Sequence, residues 1–451
     1  MTRRPLLIVV LAAGEGTRMQ SALPKVLHKI GGRPMLGHVL GVAQSLAEQS
    51  VAVVVGPDMG AVREETLKEI SSAHVYLQSE RKGTADALLA AREALSQHSG
   101  DVLVLYGDTP LLTTPTLERV LGALDMGAGI AVLGFEAGDP TGYGRLLCDG
   151  PWLTEIREEK DASAEERRLT LCNSGVMAFR LDDLEGALGR IENNNAKGEY
   201  YLTDIIEIAG RDGVRSAAVV CAEDEVMGVN SREQLAAAEA VFQRRKRREV
   251  MQGGATLIAP ESVWLSWDTK IGRDVVIEPN VFLGPGVVIE DGAEIKANTY
   301  AENAHIGVGA RIGPFARLRP GADIGANARV GNFVELKNAR LREGAKANHL
   351  AYLGDADIGA GSNIGAGTIF CNYDGFLKHF TEIGEKVFIG SNSSLVAPVK
   401  IGDGAYIGSG SVITKTVSAD ALALTRPEQV ERPGWAARFR TMMARRKAEK
   451  K

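Results

Sequence analysis

The chain has 451 residues, a formal net charge of −5, and 45% hydrophobic and 24% charged residues. That length exceeds one ordinary core and predicts two or three domains. The composition is that of a globular chain and the charge carries no whole-chain bias, so neither a nucleic-acid partner nor membrane insertion is expected.

Cys148, Cys172, Cys221 and Cys371 lack CxxC or metal-ligand spacing, which points to free thiols in a reducing cytoplasm. Arg3-Arg4 ahead of the apolar run 6–11 imitates the front of a secretory signal. The run is short, however, and flows into Gly14-Glu15-Gly16-Thr17-Arg18 rather than a cleavage site. A buried strand entering a phosphate loop accounts for the same residues. β-rich runs at Leu6–Leu11, Val51–Val55, Val102–Tyr106, Ile130–Phe135 and Val176–Phe179 alternate with helix-like stretches such as Thr84–Leu95. This alternation predicts an α/β domain over 1–230, Rossmann-like with a mostly parallel sheet, with ligands at the carboxyl ends of the strands.

The Gly-rich turn after the first strand lets backbone N–H groups approach phosphate, and Arg18 and Lys25 add positive charge. It is neither a P-loop nor the dinucleotide fingerprint. Tyr106-Gly107-Asp108 places a carboxylate at a strand end, where a hard oxygen ligand suits Mg²⁺; a turn aspartate is the plainer alternative. Residues 231–252 are Ala-, Glu- and Arg-rich and predict a linker helix opened by a Ser231/Gln234 capping box. Its basic run 244–248 reads as a solvated face.

From Ile271 to Ile413 an aliphatic residue returns every sixth position, as in Ile271, Ile277, Leu283, Ile289 and Ile295. Period six fits neither helix nor strand and is the mark of a parallel β-helix of hexapeptide repeats, expected over 253–451 and ending in a basic, solvated, mobile tail. The ladder slips phase between Ile295 and Ile306 and between Leu353 and Ile358, and an insertion at 371–380 interrupts it. Interruptions of a solenoid map to its binding face. His349, just upstream, is a candidate general base, with a structural histidine as the alternative. Arg319 and Lys337, eighteen residues apart, are expected to stack as a phosphate clamp, with Tyr352 and Asn363 near them.

The segment Leu11–Met19 with Pro24-Lys25 resembles the signature of sugar-phosphate nucleotidyltransferases, and Gln78, Gly83-Thr84, Gly142-Tyr143-Gly144, Glu158, Asn173 and Asn230 fall on matching motifs. Phe315–Gly321, Gly331–Lys337, Asn348–Gly354 and Cys371–Gly375 extend the resemblance to the acetyltransferase half of the bacterial bifunctional N-acetylglucosamine-1-phosphate uridyltransferases/glucosamine-1-phosphate acetyltransferases, over nearly the whole chain. The resemblance implies a left-handed β-helix, a homotrimer and two reactions. His349 would deprotonate the amine of glucosamine 1-phosphate for attack on acetyl-CoA. The N-acetylated product would then attack the α-phosphate of UTP, supplying a precursor for cell wall and lipopolysaccharide.

In the first half, Leu11, Ala12, Ala13, Gly14, Arg18, Lys25, Tyr106 and Gly107 would hold and activate the nucleotide, and Asp108 and Asn230 would hold Mg²⁺. Gln78, Gly83 and Thr84 would read the uracil, and Gly144, Glu158 and Asn173 the sugar. In the second half, Arg319, Lys337, Tyr352 and Asn363 would hold the amino-sugar phosphate, with Lys378 reaching from a neighbouring subunit. Ala366, Asn372, Tyr373, Ser391, Ser409 and Arg426 would line the CoA channel. The chain departs from the family pattern at Asp86, where histidine is expected, and at Leu377 and Phe380, where polar or basic residues are common. Two rival readings are a monofunctional nucleotidyltransferase with a regulatory or trimerising β-helix, and a non-enzymatic adaptor.

Overall fold

The computed structural model describes residues 4–47 and 50–449. Arg3 of the signal-like front and Lys450 and Lys451 of the basic tail lie outside the described residues. Contacts divide the chain into two units, Met1–Glu249 with Leu265–Trp267, and Val250–Trp264 with Asp268–Lys451.

The first unit is built on nine strands: β1 Leu6–Leu11, β2 Val51–Val55, β3 His74–Leu77, β4 Asp101–Tyr106, β5 Ile130–Glu136, β6 Arg145–Asp149, β7 Trp152–Arg157, β8 Leu171–Phe179 and β9 Ser216–Cys221. They form one sheet in the order β3-β2-β1-β4-β8-β5-β9-β7-β6. Only β7 and β8 run against the others. Val176–Phe179, expected as a strand of a mostly parallel sheet, is the end of a longer strand that runs antiparallel to its neighbours, a direction that an apolar run does not encode. Strands such as β1 are apolar throughout because both faces are covered. Ile8 and Val10 enter one buried layer, and Leu7, Val9 and Leu11 the other. Leu11 pairs with Tyr106, so the Gly-rich turn and Gly107-Asp108 leave the sheet side by side.

The expected helix over Thr84–Leu95 is two helices, Thr84–Leu89 and Arg92–Ser96, separated at Ala90-Ala91 where the bonding tightens to Ala91 N–H on Leu88 O. A long helix forms over Arg232–Gln252. Ser231 Oγ accepts the Gln234 N–H at 3.2 Å, while Gln234 Oε1 reaches back to the Asn230 N–H at 2.8 Å. The basic run of this helix is only partly the solvated face expected: Arg244 and Arg248 are exposed, but the others are engaged. Arg245 donates to Leu111 O at 2.7 Å and pairs with Asp224 at 2.7 Å, and Arg247 is buried. Long arginine stems cover apolar surface while their heads find oxygen partners.

The second unit is the parallel β-helix. Along one face ten strands pair in sequence. The inward column Ile277, Ile295, Ile312, Val330, Ala347, Ile364, Ile389 and Ile407 is 2% exposed or less throughout. Burying each isoleucine contributes about 1.5–3 kcal/mol. Partners along this column stand 18 or 17 residues apart except at Ile364↔Ile389, where the insertion is looped out. The phase slips are coils one residue shorter, across which pairing continues.

The basic tail, expected to be solvated and mobile, is helical over Trp435–Glu449, as its alanines, arginines and methionines favour, and buries none of its residues. Among the described residues no helix is long and apolar enough to cross a membrane.

The neighbouring pair Val288 and Ile289 separates the two directions of the coil, since Ile289 is buried and Val288 is 36% exposed. Ile289→Ala is expected to cost about 2–5 kcal/mol in denaturant unfolding, and Val288→Ala to stay within about 0.5 kcal/mol. Equal losses would contradict the inward assignment.

Candidate active sites

In the first unit a cavity of about 290 Å³ opens at the carboxyl ends of β1 and β4. Leu11, Ala12, Ala13, Gly14, Lys25, Gln78, Gly83, Thr84, Tyr106 and Asp108 line it. Gly16 must be glycine: its φ is +66°, and a Cβ there would stand 2.5 Å from Lys25 Cβ. Lys25 is buried, its ammonium 2.5 Å from Asp108 Oδ2 and 2.8 Å from Asn230 Oδ1. The Val229 N–H bonds to Asp108 O at 2.9 Å, and the cap on Asn230 completes the alignment of two residues far apart in sequence. Two hard oxygens thus converge on one cationic centre. Among the described residues no cluster of three or more His, Cys, Asp or Glu could hold a metal alone. The donor set therefore fits a Mg²⁺, whose remaining ligands would have to come from phosphate and water. Arg18 is exposed on the turn Thr17–Met19, outside the cavity lining.

Gln78 is 4% exposed, and its Nε2 donates to Asp86 Oδ2 at 2.8 Å and to Gly83 O at 3.2 Å. Asp86, the departure from the family pattern, thus holds the residue expected to meet the base. Four further residues line the cavity without having been anticipated, the apolar Val26 and Ala87 and the charged Arg81 and Glu199. Arg81 fastens the Gly-rich turn, donating to Ala13 O at 2.7 Å and pairing with Glu15 at 2.6 Å. Gly144, Glu158 and Asn173 come together beside these. Asn173 N–H bonds to Gly144 O at 2.8 Å, and a Cβ on Gly144 would lie 3.4 Å from Glu158 Oε1. Burial raises the Glu158 carboxyl above the usual range. Arg145, itself buried, pairs with Glu159 at 2.7 Å and holds the loops on either side of this trio.

In the second unit the outward residues form columns because the coils are in register. Asn332 pairs with His349, and Asn332 Oδ1 stands 2.6 Å from His349 Nδ1. Two residues beyond Ile364, Ile389 and Ile407 on the following coils come Ala366, Ser391 and Ser409, so His349 heads a column that continues through all three. Arg426 closes it by donating to Ser409 O at 2.9 Å. The next residues along this corner include Phe315, Phe333 and Leu350, all at positive φ and all about half exposed. Bulky residues in that region carry about 1–3 kcal/mol of strain each and tend to mark functional surfaces.

Arg319 and Lys337 stack on adjacent coils, as their spacing implies through Leu318↔Leu336. Tyr352 and Asn363 do not join that column: Tyr352 pairs with Glu335 and Asn363 with Lys346, on the faces either side of His349. Spacing alone could not separate these columns, because shortened coils shift the register. A buried carboxylate, Asp355, lies beneath the cations and was not anticipated. It accepts from Asn338 at 2.8 Å and from Asn372. Burial would raise its carboxyl, but these bonds and the Lys337 and Lys378 charges hold it below the usual range. Lys378 is beside Lys337 of its own chain, which keeps its ammonium below the usual lysine range. The insertion is a tied hairpin: Asp374 Oδ1 accepts the Phe376 and Leu377 N–H groups, and Asp374 Oδ2 meets His379 at 2.7 Å. Its tip carries Phe376 at 91% exposure.

Comparison with known proteins accords with both halves. Residues 8–171 match the MobA-like NTP transferase domain, and residues 268–300 and 380–415 match the bacterial transferase hexapeptide (six repeats). The bifunctional protein GlmU of Azorhizobium caulinodans is 58% identical, covering 98% of this chain and 98% of its own length. That of Paramagnetospirillum magneticum is 53% identical over 100% of both, and that of Agrobacterium fabrum 54% over 99% of both. With more than half of its residues shared along nearly its whole length, the chain belongs to the bifunctional GlmU family.

Proposed function

We propose that the two sites act in series to make UDP-N-acetylglucosamine. The second unit transfers acetyl from acetyl-CoA to glucosamine 1-phosphate, and the first couples the product to UMP from UTP with release of pyrophosphate. The observation that carries the reading is the unbroken column from Asn332 and His349 to Arg426, on the same chain as a cleft into which Lys25, Asp108 and Asn230 converge. A β-helix serving only to trimerise or regulate has no use for such a column.

Asn332 Oδ1 accepts the His349 Nδ1 proton in this arrangement, which leaves Nε2 with its lone pair and able to take a proton from the attacking amine. Arg319 and Lys337 hold the sugar phosphate, with Tyr352 and Asn363 on its flanks. Ala366, Ser391, Ser409, Arg426 and the hairpin residues Asn372 and Tyr373 hold CoA. In the first unit Asp108 and Asn230 would hold Mg²⁺, which when bound supplies phosphate orientation and charge neutralisation. Lys25 and Arg18 supply fixed positive charge toward the triphosphate. Gln78, Gly83 and Thr84 meet the uracil, and Gly144, Glu158 and Asn173 meet the sugar. The reading includes a cytoplasmic homotrimer in which Lys378 reaches a neighbour's sugar phosphate; the exposed Phe315–Phe333 stack and the hairpin tip suit contact between copies.

His349→Ala is expected to reduce thiol release from acetyl-CoA by about 10²–10⁴-fold and leave pyrophosphate release from UTP and N-acetylglucosamine 1-phosphate intact. Lys25→Ala should do the reverse, lowering pyrophosphate release about 10²-fold or more. If either change affects both reactions equally, the assignment of one chemistry to each unit fails.

Beside the sugar subsite, burial, followed by the charges of Glu158 and Glu207, pushes Asp204 up to about 6. A carboxyl raised on folding favours the folded state fully below its unfolded value, near 4, and loses that contribution as pH climbs through 6. Asp204→Asn should therefore raise the melting temperature more at pH 7 than at pH 4.5. The same increment at both would contradict this assignment.

A further inference from the structure

The Gln78 amide has only one orientation open to it. Its Nε2 donates to the Asp86 carboxylate at 2.8 Å and to the Gly83 carbonyl at 3.2 Å. An ionised carboxylate and a peptide carbonyl accept hydrogen bonds and cannot donate them. Rotating the amide by half a turn would set its oxygen against both acceptors, so the bonding pattern itself fixes which end is which. Both N–H groups are consumed, and Oε1 is the end left to face a ligand in the cleft that Gln78 lines. The platform beneath is firmly placed. Asp86 lies on the helix Thr84–Leu89, anchored where Ala85 N–H meets Tyr200 O at 3.0 Å and where Thr84 Oγ1 accepts the Leu202 N–H at 3.0 Å.

We infer that Asp86 is a positioning residue for base selection. It locks Gln78 so that the cleft presents a lone acceptor to the base edge, and so favours a pyrimidine carrying a proton on N3. Uracil donates that proton to Oε1. Cytosine offers a lone pair at the same ring position, which would face the amide oxygen and repel it. The inference rests on the reading that Gln78 meets the base. Asparagine at position 86 presents either an oxygen or an NH₂ to Gln78, and alanine presents neither, so in each variant only the longer bond to the Gly83 carbonyl at 3.2 Å still opposes turning the NH₂ toward the cleft. Sites built to receive a particular hydrogen discriminate strongly against analogues that lack it.

The test is nucleotidyl transfer by the full-length chain to N-acetylglucosamine 1-phosphate from UTP or CTP, each at varied concentration, measured as pyrophosphate release. Asp86→Asn and Asp86→Ala are each expected to lower the UTP-to-CTP ratio of kcat/KM by about tenfold or more, with the loss for UTP falling mainly in KM. A merely structural role would lower both nucleotides together and leave the ratio unchanged, and that result overturns the inference. Gln78→Ala separates the role of Gln78 from that of Asp86. If it leaves the ratio intact, the assignment of Gln78 to the base fails. If it collapses the ratio while both Asp86 variants preserve it, only the positioning role of Asp86 fails.

Discussion

An aliphatic side chain buried on each inward face of the coil fixes where everything else in the second half stands. Ile312, Val330, Ala347 and Ile364 stack without gaps, and each is at most 2% exposed. Because these positions cannot slip without exposing the core, the outward residues are locked into columns a coil apart. His349 can therefore be supported by Asn332 from the coil before and followed by Ala366 on the coil after. Side chains far apart in sequence become neighbours through a repeat that has no chemistry of its own. The insertion between Ile364 and Ile389 is tolerated because it leaves the inward pairing on both sides intact.

The first half achieves the same end by another route. Parallel strands end at one edge of the sheet, and the turns leaving β1 and β4 are placed side by side by the Leu11↔Tyr106 pairing. Lys25, Asp108 and Asn230 then converge although they come from three separate segments. The helix beginning at Arg232 contributes through its cap, since Gln234 holds the backbone of Asn230. A local device for starting a helix thus also aligns a site residue.

Much of this was legible in the sequence for reasons that can be named. Period six announced the β-helix because only an inward residue on each side of a coil imposes it. The Gly-rich turn was legible because a backbone approaching phosphate tolerates few alternatives. What stayed hidden depends on register or on contacts across loops. Asp355 and Asn332 acquire meaning only when coils of 17 and 18 residues are aligned, and the same alignment is needed to give Tyr352 and Asn363 their own columns on either side of His349. Arg81 sits in an ordinary charged loop, and nothing local reveals that it fastens Ala13 and Glu15. The direction of β8 was invisible because apolar alternation carries no sense of polarity. The Asp86 departure was visible, but its meaning lay in its contact with Gln78.

Acetyl transfer followed by uridylyl transfer on one chain ties the second product to the first co-substrate. The most direct measurement follows free thiol and pyrophosphate while the chain is incubated with glucosamine 1-phosphate, acetyl-CoA, UTP and Mg²⁺, each omitted in turn. Thiol release should proceed without UTP, and pyrophosphate release should depend on acetyl-CoA. Pyrophosphate released at an undiminished rate without acetyl-CoA, or an absence of thiol release under every condition, would contradict it.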